Sequence, residues 1–215
     1  MADDDAAKYA PAWLQLTDPE GFLAPYGMTT AERRHPLFRH AWTGRPTCEW
    51  DGAIWPFATS QTLTALANVM NDYPLTAALL PDTLFYQHLK LYTESMHHRG
   101  RPYVGEYLDE KTGAWLWGDA ERSRYYNHST YNDLIISGLV GLRPSLDNEI
   151  SITPLSPAGK WSYFCLDGLV YHEHVLTILW DETGLRYGQG RGLTLLVDGR
   201  RVANRSTLGK LSSKL

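Results

Sequence analysis

The apolar residues of this chain change their spacing once, near residue 145, and that change limits the folds open to it. Before it they recur at intervals of three and four; after it they alternate. The first spacing lays one stripe along a helix, and the second lays one face along a strand. Leu63, Leu66, Ala67 and Met70 give a buried stripe to a helix over about 61–71. Pro56 holds Trp55 out of the helical region, so the expected cap is the hydroxyl of Thr59 or Ser60. A second helix starts at Pro81-Asp82, with Asp82 as its cap, and runs to about His98. Its core face is Leu84, Phe85, His88, Leu89, Leu91, Tyr92 and Met96. Gly100 stops it, and the cations at 97–99 suit the negative end of its dipole. A third helix begins near Ser129 or Thr130 and buries Leu134, Ile135, Leu139 and Val140.

Beyond that point the pattern is of strands. Glu149–Leu155, Leu169–Trp180, Leu193–Val197 and Arg200–Asn204 alternate or run apolar, with Tyr163–Leu166 between them. Asp167-Gly168 and Asp198-Gly199 read as hairpin turns. The expectation is an antiparallel sheet of about five strands. The fold class is α+β: a helical part over 1–145, an antiparallel β module over 146–205 and a polar tail over 206–215. Residues 1–11 read as a second polar tail.

The charge balance excludes some partners. The net charge is -4 and the basic residues are scattered, so no positive field favours nucleic acid. No apolar run reaches the length of a membrane span. Met1-Ala2-Asp3-Asp4-Asp5 carries no apolar stretch of the kind a signal peptide needs, so a cytoplasmic protein is expected. The N-x-S matches at Asn127 and Asn204 are then without consequence. Cys48 and Cys165 are too few and too far apart for a disulfide framework. His97-His98 has no third ligand spaced to join it, so no metal is expected, and nothing points to a cofactor. Gly188–Gly192 is glycine-rich but opens no helix, which makes it a poor phosphate loop.

Chemistry concentrates over Arg101–Tyr131. One carboxylate, Glu106, stands between Tyr103 and Tyr107; an acidic turn follows at 109–113, then Trp115, Trp117, Tyr125, Tyr126, Asn127 and His128. Aromatic faces, amides and a carboxylate on one irregular stretch suit a carbohydrate, which offers C–H faces for stacking and hydroxyls for hydrogen bonds. The 8 Trp and 13 Tyr fit such a site, although β-rich cores also collect aromatic residues. A guanidinium from the Glu32-Arg33-Arg34-His35 cluster could add a planar fork of donors for a substrate carboxylate or hydroxyl.

Two motifs bear a family resemblance. Trp50-Asp51-Gly52-Ala53-Ile54-Trp55-Pro56 is similar to a W-x-G-P-x-W segment, with Ala53 in place of the proline. Glu106-Tyr107, followed by Thr112-Gly113, is similar to an E-x-Y…TG segment. Both belong to the six-hairpin, or (α/α)6-barrel, glycosidases of the glycoside hydrolase family 63 and mannosylglycerate-hydrolase-like group. The resemblance implies helices of a partial (α/α)6 toroid followed by a β-sandwich-like module. It makes Glu106 the general base of an inverting hydrolysis of α-linked glucosides or mannosides. It places Pro25-Tyr26-Gly27 and Thr29-Thr30 along the rim. Trp50, Trp55 and Trp115 are the candidate sugar platforms; Asp51 would hold hydroxyls; Tyr107, Asn127 and His128 would orient the base or its water.

The family's general-acid aspartate lies upstream of the tryptophan motif, in helices this sequence does not contain. Asp51, Asp109, Glu110 and Asp119 are the substitutes at hand, and Asp109 and Glu110 are expected to be solvated. The chain is therefore expected to be the C-terminal part of a glycosidase. The alternatives are a non-catalytic carbohydrate-binding remnant and an α-L-rhamnosidase-like specificity.

Overall fold

The computed structural model describes residues 5–40, 50–126 and 130–215. They divide into two compact units, one ending at Tyr131 and one running from Asn132 to Leu215.

The first unit opens with helix α1 (Ala6–Leu14), where the composition suggests a polar tail. Alanines, the strongest helix formers, outweigh the polar flank, and Ala6 and Ala10, one turn apart, are buried. Strands β1 (Leu23–Ala24) and β2 (Gly27–Met28) form a small hairpin. Helix α2 spans Pro56–Asp72, starting earlier than the expected hydroxyl cap. Pro56 sits at its first position, where the missing N–H needs no partner and the ring presets φ. Thr59 and Ser60 are consequently buried inside the first turns, where Ser60 Oγ donates to the Phe57 carbonyl at 2.9 Å. Leu63, Leu66 and Ala67 face the core as their spacing predicts.

After the short α3 (Pro74–Ala77), α4 spans Leu84–Ser95 and buries Leu84, Phe85, His88, Leu89 and Tyr92. Asp82 is not its cap: Thr83 holds that position and makes no side-chain cap bond. Nor does the helix reach His98. His97–His98 (β3) turns back and pairs with Arg101–Pro102 (β4). Arg99 and Gly100 have φ of 51° and 74°, the two left-handed residues of a two-residue hairpin turn, so Gly100 shapes a hairpin rather than a helix end. Tyr107–Leu108 (β5) pairs with Trp115–Leu116 (β6) in the same antiparallel manner.

The second unit begins with α5 (Tyr131–Asp133, its first residue in the first unit), which widens into a π-helical turn over Leu134–Leu139. Leu134, Leu139 and Val140 are buried as expected. Two antiparallel sheets follow. Leu142–Arg143 (β7), Glu149–Ile152 (β8) and Leu211–Lys214 (β13) form one, in the order β13-β8-β7. Tyr163–Tyr171 (β9), His174–Asp181 (β10), Gly192–Val197 (β11) and Arg200–Arg205 (β12) form the other in meander order. Ile150, Ile152 and Leu211 of the first sheet share one apolar core with Phe164, Leu176, Ile178, Trp180, Leu193 and Leu195 of the second. This is the α+β arrangement expected, a helical part followed by antiparallel sheets.

The strands form two sheets, of four and three, where one of about five was expected, and two further expectations fail in this unit. Asp167-Gly168 is not a hairpin turn: β9 runs through it, with a bulge where the pairing slips between Leu169↔Leu176 and Leu166↔Ile178. Gly168 takes the left-handed conformation such a bulge needs (φ 71°), and Asp167 accepts a hydrogen bond from Thr177 Oγ1 at 2.5 Å. The turn falls at His172-Glu173, both at positive φ. The polar tail, for its part, contains β13, anchored by Leu211, which pairs with Ile152 and reaches the shared core. One correctly placed leucine fixes the register of a four-residue strand. Among the described residues no helix is long and apolar enough to cross a membrane.

Candidate functional site

Glu106 is buried, with 7% of its surface exposed, on the strand entry that leads into β5. Its Oε2 lies 3.2 Å from Arg122 Nη2, and the arginine side chain remains about half exposed at 48%. The carboxylate is thus held by a cation that itself reaches solvent, not enclosed in the interior. Ser123, fully buried, supports the same spot: its Oγ accepts from the Glu106 N–H at 3.3 Å. Its carbonyl also accepts from the Tyr103 hydroxyl at 3.3 Å, while the Gly118 carbonyl accepts from that hydroxyl at 2.6 Å. Burial pushes the Tyr103 phenol above its ordinary value, which keeps it a neutral donor.

The two motifs meet through backbone. The Ile54 N–H donates to the Leu108 carbonyl at 3.0 Å, and the Leu108 N–H returns a bond to the Ile54 carbonyl at 2.9 Å. The tryptophan motif therefore joins the β5–β6 hairpin through a single bridge at Ile54, one residue pair beyond the Glu106 segment. Its glycine is forced: Gly52 has φ 146°, and a Cβ there would lie 2.6 Å from the Phe38 ring. The turn after Glu106 is held by Asp109, whose Oδ1 accepts from the N–H groups of Lys111 (3.0 Å) and Thr112 (2.8 Å). Burial pushes that carboxyl up, but these bonds outweigh it and hold the acid below its usual value. Gly113, at φ 69°, closes the turn under the ring of Tyr26, which any Cβ would strike.

The aromatic residues divide into scaffold and surface. Trp55 is sandwiched, with Trp50 stacked on it at 4.1 Å and Tyr107 at 4.9 Å between ring centroids. Trp55 and Tyr107 are 3% and 0% exposed, so neither offers a free face to a sugar or a hydroxyl to its water. Trp115 is also buried; its Nε1 donates to the His97 carbonyl at 2.8 Å, and its ring packs edge-on with Tyr103. These three expected contacts are walls that fix the Glu106 segment from either side. Trp50, 45% exposed, keeps an outward surface. It also lines a largely apolar cavity of about 370 Å³ with Trp13, Leu16, Phe22 and Met28. Asp51 is half-buried, and its carbonyl accepts from the Arg39 N–H at 2.8 Å. Asn127 and His128 lie outside the described residues.

Glu110, expected in solvent, is buried against Arg39, Nε to Oε2 at 3.2 Å. Asp119 stays exposed and pairs with Arg99 at 2.6 Å and His98 at 3.3 Å. The arginines of the 32–35 cluster are engaged internally: Arg33 donates to the Pro19 and Leu23 carbonyls, and Arg34 pairs with Asp18 and Glu32. Sequence reasoning missed Arg122, Ser123 and Arg39. None sits within a motif, and each acts across the fold on a carboxylate or backbone group far from it in sequence.

Comparison with known proteins agrees with this construction. Residues 1–129 match the model of the mannosylglycerate hydrolase MGH1-like glycoside hydrolase domain, and residues 142–204 match that of the glycosyl hydrolase family 65 C-terminal domain. A solved structure titled "Sialidase" is 60% identical, with a TM-score of 0.91 over 95% of this chain. The chain spans 19% of that protein's length. The first match covers more than half of the 215 residues and contains both motifs, and the chain belongs to the mannosylglycerate hydrolase MGH1-like glycoside hydrolase domain family.

Proposed function

We propose that this chain carries the general-base side of an inverting glycosidase site for α-linked glucosides or mannosides. Glu106, in this reading, takes a proton from the water that attacks the anomeric carbon as the glycosidic bond breaks. An acid on the opposite side of the sugar protonates the leaving oxygen, and the two carboxyl groups stand about 6.5–9.5 Å apart to leave room for that water. The observation that carries the proposal is the pairing of Ile54 with Leu108, which joins the family's two motifs in one backbone unit next to a buried, arginine-held carboxylate. Arg122, 3.2 Å from Oε2, orients the carboxylate and favours the ionised form a base needs. Trp50 is the exposed ring suited to stack against a sugar.

A glycosyl fluoride needs no protonated leaving group, so it isolates the base. The chain is expected to hydrolyse α-mannosyl or α-glucosyl fluoride with inversion, seen by NMR of the first-formed anomer, and Glu106→Gln to lose this activity. On ordinary O-glycosides the chain is expected to fall behind by about 10²–10⁴, the usual contribution of a general acid. A Glu106→Gln variant as fast as the parent would overturn the assignment. Saccharide binding without hydrolysis of either substrate would favour the non-catalytic reading. That second reading is supported by Asp119, a candidate acid, being held by Arg99 and His98.

A further inference from the structure

A second concave site lies on the first unit, and the hydrolytic reading makes no use of it. It is a polar pocket of about 510 Å³ between the β3–β4 hairpin and the segment 118–125. Arg99, Arg101 and Arg124 line it, with His98, Asp119 and Tyr125. Asp119 answers Arg99 at 2.6 Å and His98 at 3.3 Å. Among the described residues no carboxylate lies within 4 Å of Arg101 or Arg124, and both are exposed. Two like charges facing one hollow repel each other until an anion enters, and a guanidinium fork matches carboxylate and phosphate oxygens.

The walls are built rather than incidental. Tyr103 anchors the floor by its bonds to the Gly118 and Ser123 carbonyls. Of the lining residues, Tyr125 holds left-handed backbone, with φ of 56°, outside any hairpin turn. Such a conformation costs a bulky residue energy, which the surrounding packing must offset. Tyr125 is 69% exposed and tilts over Tyr103 at 5.7 Å, which leaves an aromatic face beside the arginines.

We propose that this pocket binds a small ring-bearing anion, its carboxylate or phosphate held by Arg101 and Arg124 and its ring resting on Tyr125. The site stands apart from the chemistry at Glu106. Segment 117–126 serves both, sending Arg122 to Glu106 and Arg124 to the pocket.

Titration of the chain with glucuronate, glucose and inorganic phosphate tests this without any turnover. Glucuronate is expected to bind at least about tenfold more tightly than glucose, a difference of roughly 1.4 kcal/mol. Binding should weaken sharply in about 1 M salt, where the Debye length is near 3 Å. The double variant Arg101→Gln/Arg124→Gln should lose it while melting like the parent, because neither side chain holds the fold together. Glu106→Gln should keep it, so failure here and failure of the hydrolytic reading are separable. Glucuronate no tighter than glucose, or undiminished in the double variant, would overturn the site. Phosphate as tight as glucuronate, or affinity unchanged in Tyr125→Ala, would overturn the role of the ring.

Discussion

Arg39 and Glu110 form an ion pair in the interior of the first unit, with side chains only 11% and 2% exposed and Nε 3.2 Å from Oε2. The same guanidinium lies 3.7 Å from Asp109. Arg39 also donates its N–H to the Asp51 carbonyl, so one residue ties the tryptophan motif to the turn that follows Glu106. Taking one member from such a pair strands a buried charge, which typically costs about 3–5 kcal/mol, whereas replacing both by apolar groups is often near neutral. Arg39→Met and Glu110→Leu singly are therefore expected to destabilise by about that amount, and together by much less. Urea unfolding followed by tryptophan fluorescence measures all three. Additive losses would show that the pair is not the unit of stability.

Gly105 argues for a second outcome. A Cβ there would lie 2.7 Å from Trp115 Cε3 and 2.9 Å from Tyr103 Cε1, inside any tolerable contact. Gly105→Ala must push the Glu106 segment or the Trp115 indole aside. Overpacking of this kind costs about 1–3 kcal/mol. Removal of part of the ring in Gly105→Ala/Trp115→Phe should recover some of that loss. Denaturation midpoints check the stability, and fluoride hydrolysis follows the position of the carboxylate. An alanine variant as stable as the parent would mean the indole yields freely.

How much of this was legible beforehand follows from what each signal encodes. The apolar stripe on α2 and the core face of α4 were readable because burial of a helix face leaves a period in the sequence. The order of helices before sheets is legible in the change of apolar spacing near residue 145, and the Glu106 motif in its resemblance. The terminal elements are hidden from composition, which carries no register: α1 and β13 are each fixed by one or two buried residues, Ala6 and Ala10 in one and Leu211 in the other. Asp167-Gly168 has the chemistry of a hairpin turn and of a bulge alike, and only the pairing of Leu169 with Leu176 selects the bulge. Exposure is not written in an isolated Trp, so the sequence alone does not separate a sugar platform from a packed ring. Stacking of Trp50 and Tyr107 on the two faces of Trp55 decides it. Arg122 and Ser123 reach Glu106 only through the tertiary fold.

His88 supplies a dependence on pH. It is buried on α4, and its Nε2 lies 2.9 Å from the Leu16 carbonyl, which can only accept. The neutral ring therefore carries its proton on Nε2, and Nδ1 is buried with no partner among the described residues. A second proton would have to sit on that enclosed Nδ1. Burial accordingly pushes the imidazole below its ordinary 6.5, against the smaller opposing effect of the Leu16 bond. The unfolded chain then binds the proton first, so the contribution to stability is complete above pH 6.5 and declines as the pH falls toward the lower folded value. The slope cannot exceed about 1.4 kcal/mol per pH unit for one proton. Urea midpoints taken at falling pH from neutrality should show this decline in the parent. His88→Gln keeps a donor for Leu16 and removes the titration, so it should be less stable at neutral pH yet flat across the same window. A parent curve that is flat below pH 6.5, or a variant with the parent's slope, would assign the proton uptake to another group.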